Sequence, residues 1–136
     1  MSAYGAARRL FVYGTLMFSE VFAAVCGVRP AGQAATVQGY ARRRVRDAIY
    51  PALVECAGAR TDGLLLDDID AAQWRQLDAF EGALYERVTV QVERDADGLR
   101  VAAQTYVAAP QSRHHVLDEP WQLPAFDSRE LAGYLE

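Results

Sequence analysis

The chain has 136 residues, 51% of them hydrophobic and 24% charged, with a formal net charge of −4 at pH 7. That length gives one domain, residues 1–136, with a core that needs no metal or disulfide staple. The acidic balance argues against a nucleic-acid partner, and the absence of a long apolar run argues against a membrane, so a cytoplasmic protein is expected.

Met1 to Ala7 reads as a loose terminus. Arg8 to Tyr13 reads as a strand that stops at Gly14, where the missing Cβ permits a positive φ or a close approach to a ligand. Ser19 is the expected N-cap of a short helix reaching about Cys26, with Val21, Phe22 and Val25 on its apolar side and Gly27 closing it. Ala34 to Ala41 follows as a second strand, and Tyr50 to Val54 as an extended segment around Pro51. Asp62 to Leu66 reads as a buried strand, because its consecutive leucines leave no wet face.

Asp70 and Gln73 then form a capping-box pattern, and Trp74, Leu77 and Phe80 recur at helical spacing up to Gly82. Val88, Val90 and Val92 alternate with polar residues, predicting a strand from Tyr85 to Glu93. Asp95-Ala96-Asp97-Gly98 is a hairpin turn, and Leu99 to Val107 the returning strand. Leu131, Tyr134 and Leu135 predict a short C-terminal helix after the Pro120–Pro124 loop. The sum is an α+β chain with a curved, mostly antiparallel sheet, and the pattern leaves open whether that sheet closes.

Two segments could carry chemistry. The strand–glycine–helix junction around Tyr13-Gly14-Thr15-Leu16 presents backbone N–H groups to an anion. Glu81 stands at the negative end of a helix, against the dipole, and such local conflicts tend to mark functional positions. From spacing alone a solvated glutamate at a frayed helix end is the plainer alternative. Other candidates have plain explanations. Arg42, Arg43, Arg44 and Arg46 read as a solvated edge, and Asp67, Asp68 and Asp70 as helix-start acids. His114 and His115 would point apart in an extended chain, so no metal site is expected. Cys26 and Cys56 read as buried thiols. Trp74, Phe80, Trp121 and Phe126 read as core or loop anchors, and Arg87 as either an ion-pair member or a substrate contact.

Tyr13-Gly14-Thr15-Leu16, Tyr50-Pro51-Ala52-Leu53, Leu77-Asp78-Ala79-Phe80-Glu81-Gly82 and Tyr85-Glu86-Arg87-Val88, in this order, resemble the γ-glutamylcyclotransferase-like family. That family includes γ-glutamylamine cyclotransferases and plant avirulence-induced-gene-type proteins. The likeness covers residues 8–108 and leaves 109–136 as an extension. It implies a small mixed, mostly antiparallel β-barrel flanked by short helices. It also implies an enzyme that cyclises a small-molecule γ-glutamyl substrate to 5-oxoproline and a free amine. By the same likeness Glu81 is the acid/base, and the Tyr13, Gly14, Thr15 and Leu16 loop holds a carboxylate through its amides. Tyr85, Arg87 and Tyr106 are implied as further substrate-binding residues. Neither cofactor nor metal is needed, because the substrate's own α-amine is the nucleophile. The alternative is a non-catalytic carboxylate-binding module on the same fold. The amine part of the substrate and the oligomeric state have no readable signal.

Overall fold

A computed structural model describes residues 7–121. Residues 1–6 of the terminus expected to be loose, the expected C-terminal helix and Phe126 lie outside the described residues. The strands are β1 (Leu10–Val12), β2 (Gly32–Val45), β3 (Pro51–Leu66), β4 (Tyr85–Arg94), β5 (Arg100–Ala108) and β6 (Val116–Pro120). The helices are α1 (Ser19–Cys26) and α2 (Ala71–Glu81).

β1 to β5 close into a barrel, running β1-β3-β2-β4-β5 and back to β1, and β6 joins the far end of β2. Every pairing is antiparallel except β1 with β5, which is parallel. β2 and β3 are longer than their apolar segments indicate. They form one long hairpin in register from Gly32↔Leu66 to Arg44↔Pro51, interrupted by a bulge between Gln38 and Tyr40. The ladder of backbone hydrogen bonds carries strand structure through polar residues such as Arg42–Arg44, paired with Leu53, Ala52 and Pro51, where side-chain alternation is absent.

The two faces of the barrel wall have different cores. Phe11, Val37, Leu53, Leu65, Val90, Val92 and Ala103 fill the interior. Leu10, Val12 and Leu66 face outward and are covered by Val21 and Phe22 of α1 and by Trp74 and Leu77 of α2. This explains the unalternating runs at residues 10–12 and 64–66: each strand is buried on both faces, so no position is left for a polar side chain.

The capping box of α2 forms as expected, with Asp70 accepting from the Gln73 amide at 2.8 Å and Gln73 accepting from the Asp70 amide at 3.0 Å. Ser19 is not a cap. Phe18 holds the N-cap position without a side-chain bond, because a 3₁₀ turn over Thr15–Met17 runs directly into α1 and the Phe18 amide donates to Thr15 O. Phe80 departs from the expected core face and is 41% exposed. Cys26 and Cys56 are free and only half-buried, not buried. Burial and then the nearby Asp70 charge push the Cys26 thiol up to about 11, so it stays protonated and unreactive. His114 and His115 lie in a 3₁₀ turn with ring centroids 4.0 Å apart, because the chain there is coiled and not extended.

Candidate active site

β1 ends at Val12 beneath α1, and the Tyr13–Leu16 loop turns there across the mouth of the barrel. Gly14 does not use a positive φ; its φ is −133°. It is needed for close approach, since a Cβ would lie 2.8 Å from the Pro51 ring. The loop thus packs against the start of β3, and a cavity of about 480 Å³ opens between them. Its wall includes Tyr13, Gly14, Thr15, Leu16, Glu81, Tyr85 and Tyr106, brought together from distant stretches of the chain.

Glu81 is the last residue of α2. Gly82, with φ 68° and ψ −161°, turns the chain out of the helix in a conformation open essentially only to glycine. The carboxyl is pushed up from an ordinary 4.5 to about 8, first by burial and then by the charge of Asp78. Asp78 lies one turn earlier on the same helix face, and it is held in turn. The Tyr106 hydroxyl donates to its Oδ1 at 2.7 Å, and Arg87 Nε lies 3.3 Å from the same oxygen.

Three of the four phenols lining the cavity, those of Tyr13, Tyr85 and Tyr106, are committed to the protein. Tyr13 OH donates to Tyr106 O at 2.5 Å, Tyr85 OH to Pro51 O at 2.6 Å, and Tyr106 OH to Asp78. Burial, reinforced by neighbouring carboxylates, pushes the Tyr13 and Tyr106 hydroxyls well above the usual phenol range, so both stay protonated. Each hydroxyl has one proton, and that proton is already given away.

Arg87 is the predicted site residue that the fold does not bring to the cavity wall. Its guanidinium sits 4.4 Å from the Trp74 ring centroid and forms the ion pair with Asp78. Sequence reasoning gave no site role to Phe80, Asp47 or Ile49, all of which line the cavity. Phe80 could have been found as the neighbour of Glu81, and Asp78 as its i−3 partner. Asp47 and Ile49, in the β2–β3 turn, carry no local signal. The arginine run is also corrected. Arg42 is not a solvated edge: its side chain is 17% exposed and donates to Tyr13 O at 2.9 Å. Arg43 and Arg44 pair with Asp118 and Glu119 of β6, the strand whose addition to β2 removes that edge from solvent. Of the helix-start acids, only Asp70 caps; Asp67 and Asp68 pair with Arg9 and Arg8. Among the described residues no group of acidic, histidine and cysteine side chains is arranged to hold a metal ion. No helix there is long and apolar enough to cross a membrane.

Comparison with known proteins gives a consistent result. The family model described as gamma-glutamyl cyclotransferase, AIG2-like matches residues 10–123. AIG2-like protein A of Arabidopsis thaliana is 32% identical over 100 residues, covering 74% of this chain and 61% of that protein. The chain therefore spans about three-fifths of the length of that relative. AIG2-like protein D of the same plant is 28% identical over 142 residues, covering 100% of this chain and 90% of the relative. A solution structure of an Arabidopsis thaliana protein superposes with a TM-score of 0.71 at 26% identity, covering 93% of this chain and 81% of that one. A structure of a gamma-glutamyl cyclotransferase gives a TM-score of 0.70 at 14% identity, covering 94% and 97%, a likeness of fold alone.

Proposed function

Because the chain belongs to the gamma-glutamyl cyclotransferase, AIG2-like family, we propose that it converts a γ-glutamyl amine to 5-oxoproline and the free amine, with Glu81 as the acid/base. The observation that carries this reading is a carboxyl group raised to about 8 on the wall of a cavity that it shares with the Tyr13–Leu16 loop. The substrate's α-amine attacks its own γ-carbonyl carbon, so the protein supplies orientation and proton transfer, not a nucleophile. Glu81 takes the proton that the α-ammonium must lose. It then returns that proton to the departing nitrogen as the amide C–N bond breaks. A pKa near neutrality suits a group that must do both. With the Tyr13, Tyr85 and Tyr106 hydroxyls already donated elsewhere, the anionic atoms of substrate and tetrahedral intermediate are assigned in this reading to backbone N–H groups of the loop, with Tyr50 the remaining phenol on the wall. Arg87 enters this reading through Asp78 and not as a substrate contact.

The wall also favours an amine over an amino acid as the leaving part. Among the described residues, Asp47 and Glu81 are the only charged ones lining the cavity, so a carboxylate on that part would meet no cation. Tyr50, Tyr85, Phe80 and Ile49 offer it apolar surface instead.

The test is release of 5-oxoproline from a panel of γ-glutamyl amines and γ-glutamyl dipeptides. Glu81→Gln is expected to lower kcat by about 10²- to 10⁴-fold, the usual contribution of a positioned acid/base. A wild type inactive on the whole panel would reject the reading. Equal activity in the wild type and in Glu81→Gln would remove Glu81 from the mechanism.

A further inference from the structure

Arg42 lies on β2, 29 residues beyond Tyr13 in sequence, and is not among the residues lining the cavity. Its guanidinium nevertheless reaches the loop that is. Nη1 donates to Tyr13 O at 2.9 Å and to Asp62 O at 3.1 Å, and Nη2 donates to Asp62 Oδ1 at 3.0 Å. The Trp121 ring centroid lies 5.6 Å from Cζ, and the Trp121 amide donates to Arg42 O at 3.2 Å. The Trp121 indole N–H in turn donates to Ile49 O on the cavity rim at 2.8 Å.

No cis peptide bond occurs among the described residues, so the Tyr13–Gly14 unit is trans. In a trans unit the C=O and the following N–H point to opposite edges of one plane. The Tyr13 carbonyl is turned to Arg42, which does not line the cavity, while Gly14 does, and the Gly14 N–H leaves from the opposite edge of that plane. We infer that Arg42 is a positioning residue: it fixes the Tyr13–Gly14 peptide plane so that the Gly14 N–H donates to the carboxylate of the bound ligand. This rests on the cyclotransferase reading above.

The arrangement has a cost. Arg42 Nε is buried without a hydrogen-bond partner, a penalty that packing alone gives no reason to keep. The guanidinium also places a fixed positive charge behind the peptide, on the carbonyl side. That polarises the unit and makes its N–H a better donor to an anion. A lysine could reach one carbonyl as a point charge but could not bridge Tyr13 O and Asp62 together.

The experiment compares binding of 5-oxoproline with that of 5-oxoprolinamide, in which the carboxylate is replaced by a neutral amide, by calorimetry on the full chain. In the wild type 5-oxoproline binds more tightly. Arg42→Gln is expected to weaken 5-oxoproline about tenfold while 5-oxoprolinamide changes less than about twofold, the scale of one charge-assisted hydrogen bond. With a γ-glutamyl amine, KM is expected to rise more than kcat falls. Arg42→Lys should recover part of the preference. Asp62→Asn, which keeps the backbone bond but removes the ion pair, should lose about threefold of it by the same scale. These two milder variants decide the matter if Arg42→Gln does not fold. Equal weakening of both ligands, or an unchanged preference in every variant, overturns the positioning role and leaves the cyclotransferase reading intact. A wild type that releases no 5-oxoproline and binds neither ligand takes down both.

Discussion

Glu81, Asp78, Tyr106 and Arg87 form a chain of charge and hydrogen bonds that ends at the buried Glu81 carboxyl. Asp78 contributes to the raised pKa of Glu81 through its charge, while Tyr106 and Arg87 hold Asp78 in place. In the proposed reaction the base form of Glu81 accepts the α-ammonium proton, so kcat/KM should rise with pH through a midpoint near about 8. Asp78→Asn should move that midpoint to lower pH, because the repulsion is gone while the Tyr106 hydroxyl keeps an acceptor. A pH–rate profile of the two proteins checks this, and identical midpoints would remove Asp78 from the tuning. The stability consequence has the opposite sense to an ordinary ion-paired carboxylate. Between 4.5 and about 8 the native state holds a proton that the unfolded chain has released, so stability falls as pH rises across that window. Glu81→Gln should therefore raise the unfolding free energy more at pH 9 than at pH 4, by roughly 1–3 kcal/mol after allowance for partial solvent access. Urea unfolding at the two pH values reads it directly.

At the scale of elements, the two ends of α2 have separate duties. The capping box at Asp70 and Gln73 starts the helix, far along it from the cavity. Asp70→Ala should cost about 1 kcal/mol of stability and leave 5-oxoproline release within about twofold of the wild type. The other end aims the carboxylate. Gly82→Ala forces a Cβ into a glycine-only backbone region at φ 68°, ψ −161°. The expected cost is roughly 1–3 kcal/mol. Because the turn follows Glu81 directly, activity should drop by at least about tenfold, as small displacements of a catalytic group do. Paired unfolding and activity measurements separate the two ends; a Gly82→Ala chain with full activity would show that the turn does not position Glu81.

The molecule as a whole depends on a narrow seam. β1 is three residues long, and its parallel contact with β5 closes the barrel around the single register pair Leu10↔Gln104. A side chain supplements it: the Thr105 hydroxyl, fully buried, donates to Phe11 O at 2.9 Å. Thr105→Val keeps the volume and leaves that carbonyl without its donor, which should cost about 1–3 kcal/mol. The Tyr13–Leu16 loop leaves the barrel just past Phe11, at the end of β1. A loosened seam should therefore also weaken 5-oxoproline binding, whereas a loss of stability with unchanged binding would show the loop to be held from the Arg42 side alone.

The sequence determined whatever depends on neighbours along the chain. Asp70 and Gln73 announce the start of α2, Asp97-Gly98 announces the β4–β5 turn, and the leucines of 64–66 announce a strand covered on both faces. The family motifs likewise drew attention to the Tyr13–Leu16 loop and to Glu81. Distant contacts had no local signal. Nothing near Arg42 in the chain shows that it reaches Tyr13 O, because that bond exists only once the β2–β3 hairpin passes beneath the loop. Nothing near Arg87 shows that Trp74 and Asp78 hold it off the cavity wall. Closure of the barrel had no signal in the residue pattern either and was expected only from the family resemblance, since it rests on the meeting of β1 with β5, ninety-odd residues apart. Backbone geometry and side-chain period are written residue by residue, whereas partners are chosen by which surfaces the closed barrel brings together.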